Sequence, residues 1–444
     1  MVGRRFGRTL GVVLATAMLG GCAVDTEFDR TFVASQLEER AGNGLPDLPP
    51  GADPALPPQV AVADGLTEAE AVAVALWNNL EFHATLAELG IARADLLEAG
   101  LLPNPILSLV FPGDSTVREG TLSVPIQLLQ RRTRVEIATL DAERVAQGLL
   151  QTGLRLVRDV RLAHAELGLA ELRATLLERE SVLLADVAEI ATQQLAAGSI
   201  SALEADRIQA DALTAMAARQ DALRQLTAAR WHLAGLLGLS DLDTKVSGAE
   251  DGPSAEPLPN LDALVELALA SRPDLRAAEI VVEAAGAAAR LQRQQVYDFL
   301  ALLDFDQEAG EDVEIGGGLQ IDLPIFNRNQ GGSMRAESRI EQAALRYSAV
   351  RRNIVLDVGA SYADYSAALA AARAWEDDIV PRLAAAVEGT ERALALGGTS
   401  ELLVLRSEQR LVAARVARAE ALAHVRRASA NLAHSVGQKV ATQL

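Results

Sequence analysis

Apolar positions recur with two different periods along this chain, and the switches between them mark out its elements. From Arg132 to Leu195 the period is helical and no proline interrupts it. Leu176, Leu183 and Ile190 stand seven apart, as do Leu177, Leu184 and Ala191, which predicts one long helix with coiled-coil packing. Upstream, Thr67 to Leu102 reads as an opening helix that stops at "LPNP". Period two takes over in four short stretches. In "GTLSVPI", Leu122, Val124 and Ile126 oppose Thr121 and Ser123. In "FLALLDFDQ", Phe299, Ala301, Leu303 and Phe305 oppose Asp304 and Asp306. In "GLQIDLPIF", Leu319, Ile321 and Leu323 oppose Gln320 and Asp322. "PILSLVF" supplies the remaining strand.

One of these strands runs into helix through "IDLPIFNRNQGG". Pro324 donates no ladder bond and suits a strand end, as does Pro125 at the matching place. Asn327, Asn329, Gly331 and Gly332 permit the turn from strand into helix.

The pattern occurs twice. "AAGSISALEADRIQ" and "ALGGTSELLVLRSEQ" align at an offset of 199, which pairs Gly198 with Gly397, Arg207 with Arg406, Arg219 with Arg418 and Gly238 with Gly437. The same offset pairs Pro125 with Pro324, and the repeat starts align Leu66 with Leu261. This is an internal duplication: helix, two strands, a very long helix, a glycine-marked turn, a returning helix. We divide the chain into a leader (1–21), a Pro-rich extended tether (22–64), a first repeat (65–245), a linker (246–257) and a second repeat (258–440). A descending helix of about 65 residues spans roughly 100 Å, and the returning helix covers only about 57 Å. The opening helix makes up the difference if it stacks on the returning one, a rod suited to reaching across a wide space.

Composition narrows the function. Half the residues are apolar but only 3% are aromatic, which favours long helices packed through small side chains. The net charge of −19 excludes a nucleic-acid partner, because a phosphate backbone needs a basic face. His83, His164, His232, His424 and His434 are scattered, and no His–x–x–x–His pair or glycine-rich phosphate loop accompanies them. Enzyme chemistry, a cofactor and a resident metal site are therefore not expected. The only cysteine, Cys22, closes "LGGC" after Arg4, Arg5, Arg8 and an apolar run, a secretory leader whose end resembles the bacterial lipobox. Cys22 is then the lipidated first residue of the mature chain, and Ala23 after it implies outer-membrane sorting. A single acyl chain anchors only modestly, so a second membrane attachment is expected. Four strands cannot form a stable sheet alone in water, whereas a shared transmembrane barrel satisfies every edge and suits one apolar and one polar face. Phe111, Phe299, Phe305 and Phe326 fall in or beside the strands, as aromatic girdles require. Between Gln294 and Asn327 there is no lysine or arginine, while Asp304, Asp306, Glu308, Glu311, Asp312, Glu314 and Asp322 occur. Alternation assigns Asp304, Asp306 and Asp322 to the lumen, where rings of carboxylates favour cations.

"LPNP", "RPDL", the "LPIF" strand exit and the paired turns "AAGSISAL" and "LGGTSELL" together resemble the TolC-like outer-membrane efflux proteins, from Leu66 to Val440. "LPIFNRNQGG" is similar to the branch serving cobalt–zinc–cadmium and copper–silver efflux. The resemblance implies a mainly α fold with a small β part. It implies that duplicated helical hairpins form a periplasmic α-barrel in a homotrimer, and that four strands per chain build a shared 12-stranded outer-membrane β-barrel. It implies a periplasmic membrane-fusion adaptor and an inner-membrane pump of the resistance-nodulation-division type as partners. The adaptor would dock at the hairpin tips, Gly198, Ser199 and Ser201 with Gly397, Gly398, Thr399 and Ser400. Family members often carry acidic residues six and nine positions beyond the second turn glycine. Here those positions are Leu403 and Arg406, matched by Glu204 and Arg207 in the first half, so the candidate periplasmic aperture is mixed. The same channel serving organic-drug efflux or type I protein secretion, and a structural envelope lipoprotein, stand as alternatives.

Overall fold

The computed structural model describes residues 26–45, 56–57, 60, 65–110, 118–240, 245–247, 260–297, 299–307 and 312–439. Cys22 with its leader, Phe111, Glu308 and Glu311 lie outside the described residues. The first half contains α1 (Arg30–Ala41), α2 (Glu68–Asn78), α3 (Leu80–Leu86), α4 (Glu88–Gly100), β1 (Ile106–Val110), β2 (Arg118–Pro125), α5 (Leu128–Ala196) and α6 (Ala202–Leu236). The second contains α7 (Leu261–Ser271), α8 (Pro273–Gln294), β3 (Phe299–Gln307), β4 (Glu314–Ile321), α9 (Gln330–Arg373), a π-helical turn (Ala374–Ile379), α10 (Val380–Ala395) and α11 (Glu401–Val436). Two compact units share these elements. One holds Leu86–Gly148 and Asp274–Val350, including the sheet; the other holds Val33–Thr85, Leu149–Pro273 and the residues from Arg351 onward.

The long helix α5 is unbroken over 69 residues, as its proline-free pattern predicts. The opening helix is divided, unlike the single Thr67–Leu102 helix expected. A capping box between Thr67 and Glu70 starts α2. Asn79 then turns extended, and its Oδ1 accepts the Phe82 backbone N–H at 2.9 Å to begin α3. In the second half Arg272 takes that place, ahead of Pro273 at the start of α8. Both α2 and α7 have eleven residues, N-capped by Thr67 and Asn260, so the repeat starts align there and not at Leu66 with Leu261.

The tether expectation also needs correction, because Arg30–Ala41 is helix. Val33, Leu37 and Ala41, four residues apart, are buried, and Gly153 leaves the room that Leu37 fills. Burying Leu37 and Val33 stabilises the docked helix by about 3–6 kcal/mol before ordering costs.

Along the long helices, the duplication carries an interruption that a gapless offset conceals. Val160, Leu167, Ala170 and Ala174 are buried, and their buried counterparts are Val358, Tyr365, Ala368 and Ala372, each 198 positions on. Past the π-helical turn the offset becomes 199. The ion pair Arg219–Glu178 and its copy Arg418–Glu376 straddle the change. A π turn holds one extra residue without rotating the helix beyond it, and Pro381 just past the turn lacks the N–H that an α-helix would use.

Candidate functional site

The antiparallel sheet has the order β1-β2-β3-β4, and its register sorts side chains onto two faces. Leu107, Leu122, Leu303 and Gly317 lie opposite one another in one row, and Leu109, Gly120, Phe305 and Ile315 in another. With Val124, Ala301, Leu319 and Ile321 they make one face apolar. The Phe305 ring lies over Gly120, where a Cβ would collide with it. On the other face Ser108, Thr121, Asp304 and Gly316 share a row, and Thr121 Oγ1 donates to Asp304 Oδ1 at 2.8 Å. Next to them Glu119, Asp306 and Glu314 stand side by side on three strands. Like charges directly opposite destabilise a sheet, so this row costs stability and calls for another reason. Asp304 and Asp306 lie on the polar face; Asp322 stands one residue beyond the end of β4. Sequence reading missed Glu119, although its parity with Thr121 and Ser123 identifies its face. Among the described residues, β1 and β4 each pair on one side only, and every residue of both is exposed.

Both strand-to-helix joints are tied to the helix that enters the neighbouring strand. Pro125 is the last residue of β2, and Ile126 N–H donates to Phe299 O at 2.8 Å. Arg131 Nε then donates to Gly100 O at 2.6 Å, at the carbonyl end of α4. In the second joint Pro324 follows β4, and Asn327 Oδ1 accepts the Asn329 N–H at 3.0 Å. The left-handed residue is Asn329, at φ 55°, and its Nδ2 donates to Gln292 O at 2.8 Å. Gly331 and Gly332, expected to take the turn, lie instead in the first turn of α9. A Cβ at Gly332 would meet the side-chain oxygens of Asn329 and Gln292, which would have to swing aside. Leu323, Ile325 and Phe326 beside this joint are exposed, Phe326 to 93%.

The hairpin turns share one backbone design. Gly198 (φ 73°) and Gly397 (φ 70°) end α5 and α10, and Ser199 N–H and Gly398 N–H reach back to Gln194 O and Ala393 O at 2.9 and 2.8 Å. Ser201 Oγ accepts the Glu204 N–H at 3.2 Å, whereas Ser400 makes no side-chain cap. Leu402 and Leu405 pack against Leu184, Val187, Ala191, Ile208 and Ala215. Leu403 and Arg406 therefore turn outward and are exposed, as is Arg207; Glu204 is half-buried. Leu203 and Leu396 beside the turns are 81% and 87% exposed. Among the described residues no group of three or more His, Cys, Asp or Glu is arranged to hold a metal ion. His164 and His434 are held below the usual histidine range chiefly by burial, His434 at about 4 with Arg158, Arg272 and Arg155 adding to the effect.

Residues 264–438 match the family model described as "Outer membrane efflux protein". The second half of the chain is thus similar to that family. The cobalt-zinc-cadmium resistance protein CzcC of Cupriavidus metallidurans is 26% identical over 331 residues, covering 72% of this chain and 77% of CzcC. Among solved structures, CusC is 18% identical with a TM-score of 0.69, over 89% of this chain and 99% of CusC. The open MtrE outer-membrane channel of Neisseria gonorrhoeae is 17% identical with a TM-score of 0.69, over 89% of this chain and 98% of MtrE. At these identities the structural likeness is one of fold.

Proposed function

We propose that this protein is the outer-membrane exit duct of a tripartite efflux system, working as a homotrimer whose four-stranded sheets close one barrel. The observation that carries the reading is the sheet itself. Two edges that, among the described residues, leave their outward-pointing backbone groups without a neighbouring strand are a liability in a monomer, and joining the β4 edge of one copy to the β1 edge of the next removes them. Because β1 and β4 run antiparallel, closure with four strands per chain preserves the alternation, and three copies give the even number known for such barrels. The apolar face then meets lipid and the face of Asp304 and Asp306 lines the passage. Planar-bilayer recording of the reconstituted protein should give cation-selective conductance that falls when Asp304, Asp306 and Asp322 become Asn. Unchanged selectivity would falsify the lumenal assignment.

The remaining parts of the reading come from the leader sequence and from the family resemblance. A lipid on Cys22 supplies a further anchor, read from the intact mass of the purified protein. The Gly198 and Gly397 turns dock a periplasmic adaptor, which in turn meets an inner-membrane pump of the resistance-nodulation-division type; the exposed Leu203 and Leu396 support this. Cross-links from Ser199→Cys or Thr399→Cys to the adaptor test it. Glu204, Arg207, Leu403 and Arg406 form the aperture above those turns. The cargo we assign is heavy-metal cations, on the likeness to CzcC and the acidic polar face.

A further inference from the structure

We propose that a small cavity between α1, α5 and the end of α11 is an anion site that takes one chloride-sized ion. The cavity measures about 20 Å³ and lies within one compact unit of the chain. Arg40 lines it from α1, Arg158 and Arg161 from α5, and His434 and Lys439 from α11 and the residues after it. Among the described residues no carboxylate lines it. In a chain of net charge −19, five basic side chains surround one hole. Cations gathered in a partly buried place need a counter-ion.

The partners within the chain leave that need partly unmet. Arg158 donates through Nε and Nη2 to Asp159 Oδ1 at 2.9 and 2.6 Å, which offsets one of the five. Arg161 Nε lies 2.9 Å from Glu68 Oε1 but too obliquely for a hydrogen bond. Arg40 donates to neutral acceptors, through Nη1 to Ser271 O and through Nε and Nη2 to Gln36 Oε1 at 3.2 and 3.0 Å. Burial holds this guanidinium below the usual arginine range, against the pull of Glu39. Arg161 Nε and His434 Nδ1 are both buried without a hydrogen-bond partner, two such atoms on residues that line one cavity. Buried polar groups beside a small polar cavity point to a water or an ion as their partner. Water fits the space but carries no charge to offset the cations; phosphate and sulfate, with four oxygens each, exceed it. Chloride accepts hydrogen bonds and donates none. It therefore meets the guanidinium and ammonium groups directly, and meets His434 Nδ1 once that nitrogen carries a proton. The charged groups around this ring are Arg40 of α1, then Arg155, Arg158 with Asp159, and Arg161 with Glu68 on the α5 side, then Arg272 with Asp357, and Lys439. Cations outnumber carboxylates in this set, so proton uptake by His434 and anion binding favour each other. The Lys439 N–H donates to Arg40 O at 2.9 Å, so the ion would help hold α1 and the segment after α11 together on α5.

Bromide and chloride test the site in the full-length protein. Crystals soaked in bromide should show an anomalous peak within hydrogen-bonding reach of Arg40, Arg161 and Lys439. Density for water there, with no bromide, overturns the proposal. In detergent, the melting temperature should rise as chloride replaces gluconate at constant ionic strength, and by more at pH 5 than at pH 8. Equal melting temperatures in the two salts overturn it as well. Arg40→Gln and Arg161→Gln should each raise the chloride concentration of half effect by about tenfold, because each removes a charged hydrogen-bond donor. A chloride effect unchanged in both variants places the ion elsewhere and also overturns the site. In His434→Gln the chloride shift should be the same at the two pH values. A shift that stays larger at pH 5 in that variant overturns the coupling to His434.

Discussion

Two glycines with nearly the same backbone conformation face different surroundings. Gly238 (φ 67°) ends the α6 segment, and a Cβ there would lie 2.6 Å from Asn78 O and 2.9 Å from its carbonyl carbon. Gly198 (φ 73°) has nothing within 4 Å. Left-handed backbone costs a Cβ-bearing residue about 1–2 kcal/mol, and forcing atoms into packed backbone adds about 1–3 kcal/mol. Gly238→Ala should therefore lose about 2–4 kcal/mol and Gly198→Ala about 1 kcal/mol, measured by denaturant titration followed by circular dichroism. His434 makes stability depend on pH. Its folded-state value of about 4 lies below the ordinary 6.5, so on acidification the unfolded chain takes up the proton first. The contribution is complete above pH 6.5 and is lost as pH falls towards about 4, to a total of about 3 kcal/mol. His434→Leu should flatten that limb of a melting-temperature series against pH.

At the scale of elements, the π-helical turn absorbs one residue so that the faces before and after it stay in step. Removing a residue from an α-helix rotates everything beyond it by about 100°. Deleting Asp377 together with Pro381→Val (the matching residue is Val182) should instead convert the turn to α-helix and leave both faces in place. The expected gain is about 1–3 kcal/mol, since proline is disfavoured inside a helix. Deleting Asp186 from α5, where no π turn is present to absorb the change, should turn Val187 and Ala191 away from Leu184 and abolish the cooperative transition. Equal tolerance of both deletions in chemical denaturation would sink this account of the insertion.

At the scale of the whole molecule, the proposed function ties the acidic face to a cargo of metal cations. A host lacking this protein should become more sensitive to cobalt, zinc or cadmium, with sensitivity to organic drugs unchanged. Restoring the gene should reverse this, and the Asp304, Asp306 and Asp322 triple asparagine variant should reverse it less well. A host equally resistant to metals but newly sensitive to organic compounds would move the duct to the drug-efflux reading. Carboxylate rings act over about 10 Å at 0.1 M salt, so the selectivity of the conductance should weaken as ionic strength rises.

Local periodicity by itself determined the long α5 helix, the four strands and the face on which Asp304 and Asp306 stand. Each depends on a pattern carried within one segment, a 3.6-residue or two-residue repeat that needs no distant partner. The duplication was legible for the same reason, as two copies of one pattern. Tertiary contacts decided the rest. Asn329 takes the left-handed turn, ahead of the glycines beside it, because Gln292 of another helix accepts its side-chain amide. Arg30–Ala41 is helix because Leu37 finds the space left by Gly153, far away in sequence. The one-residue step between the halves emerges only when buried positions are matched, since sequence identity is too sparse there to register it. The row of Glu119, Asp306 and Glu314 exists only through pairing across three strands from both halves. Strand register is set by partners, and no single strand contains it.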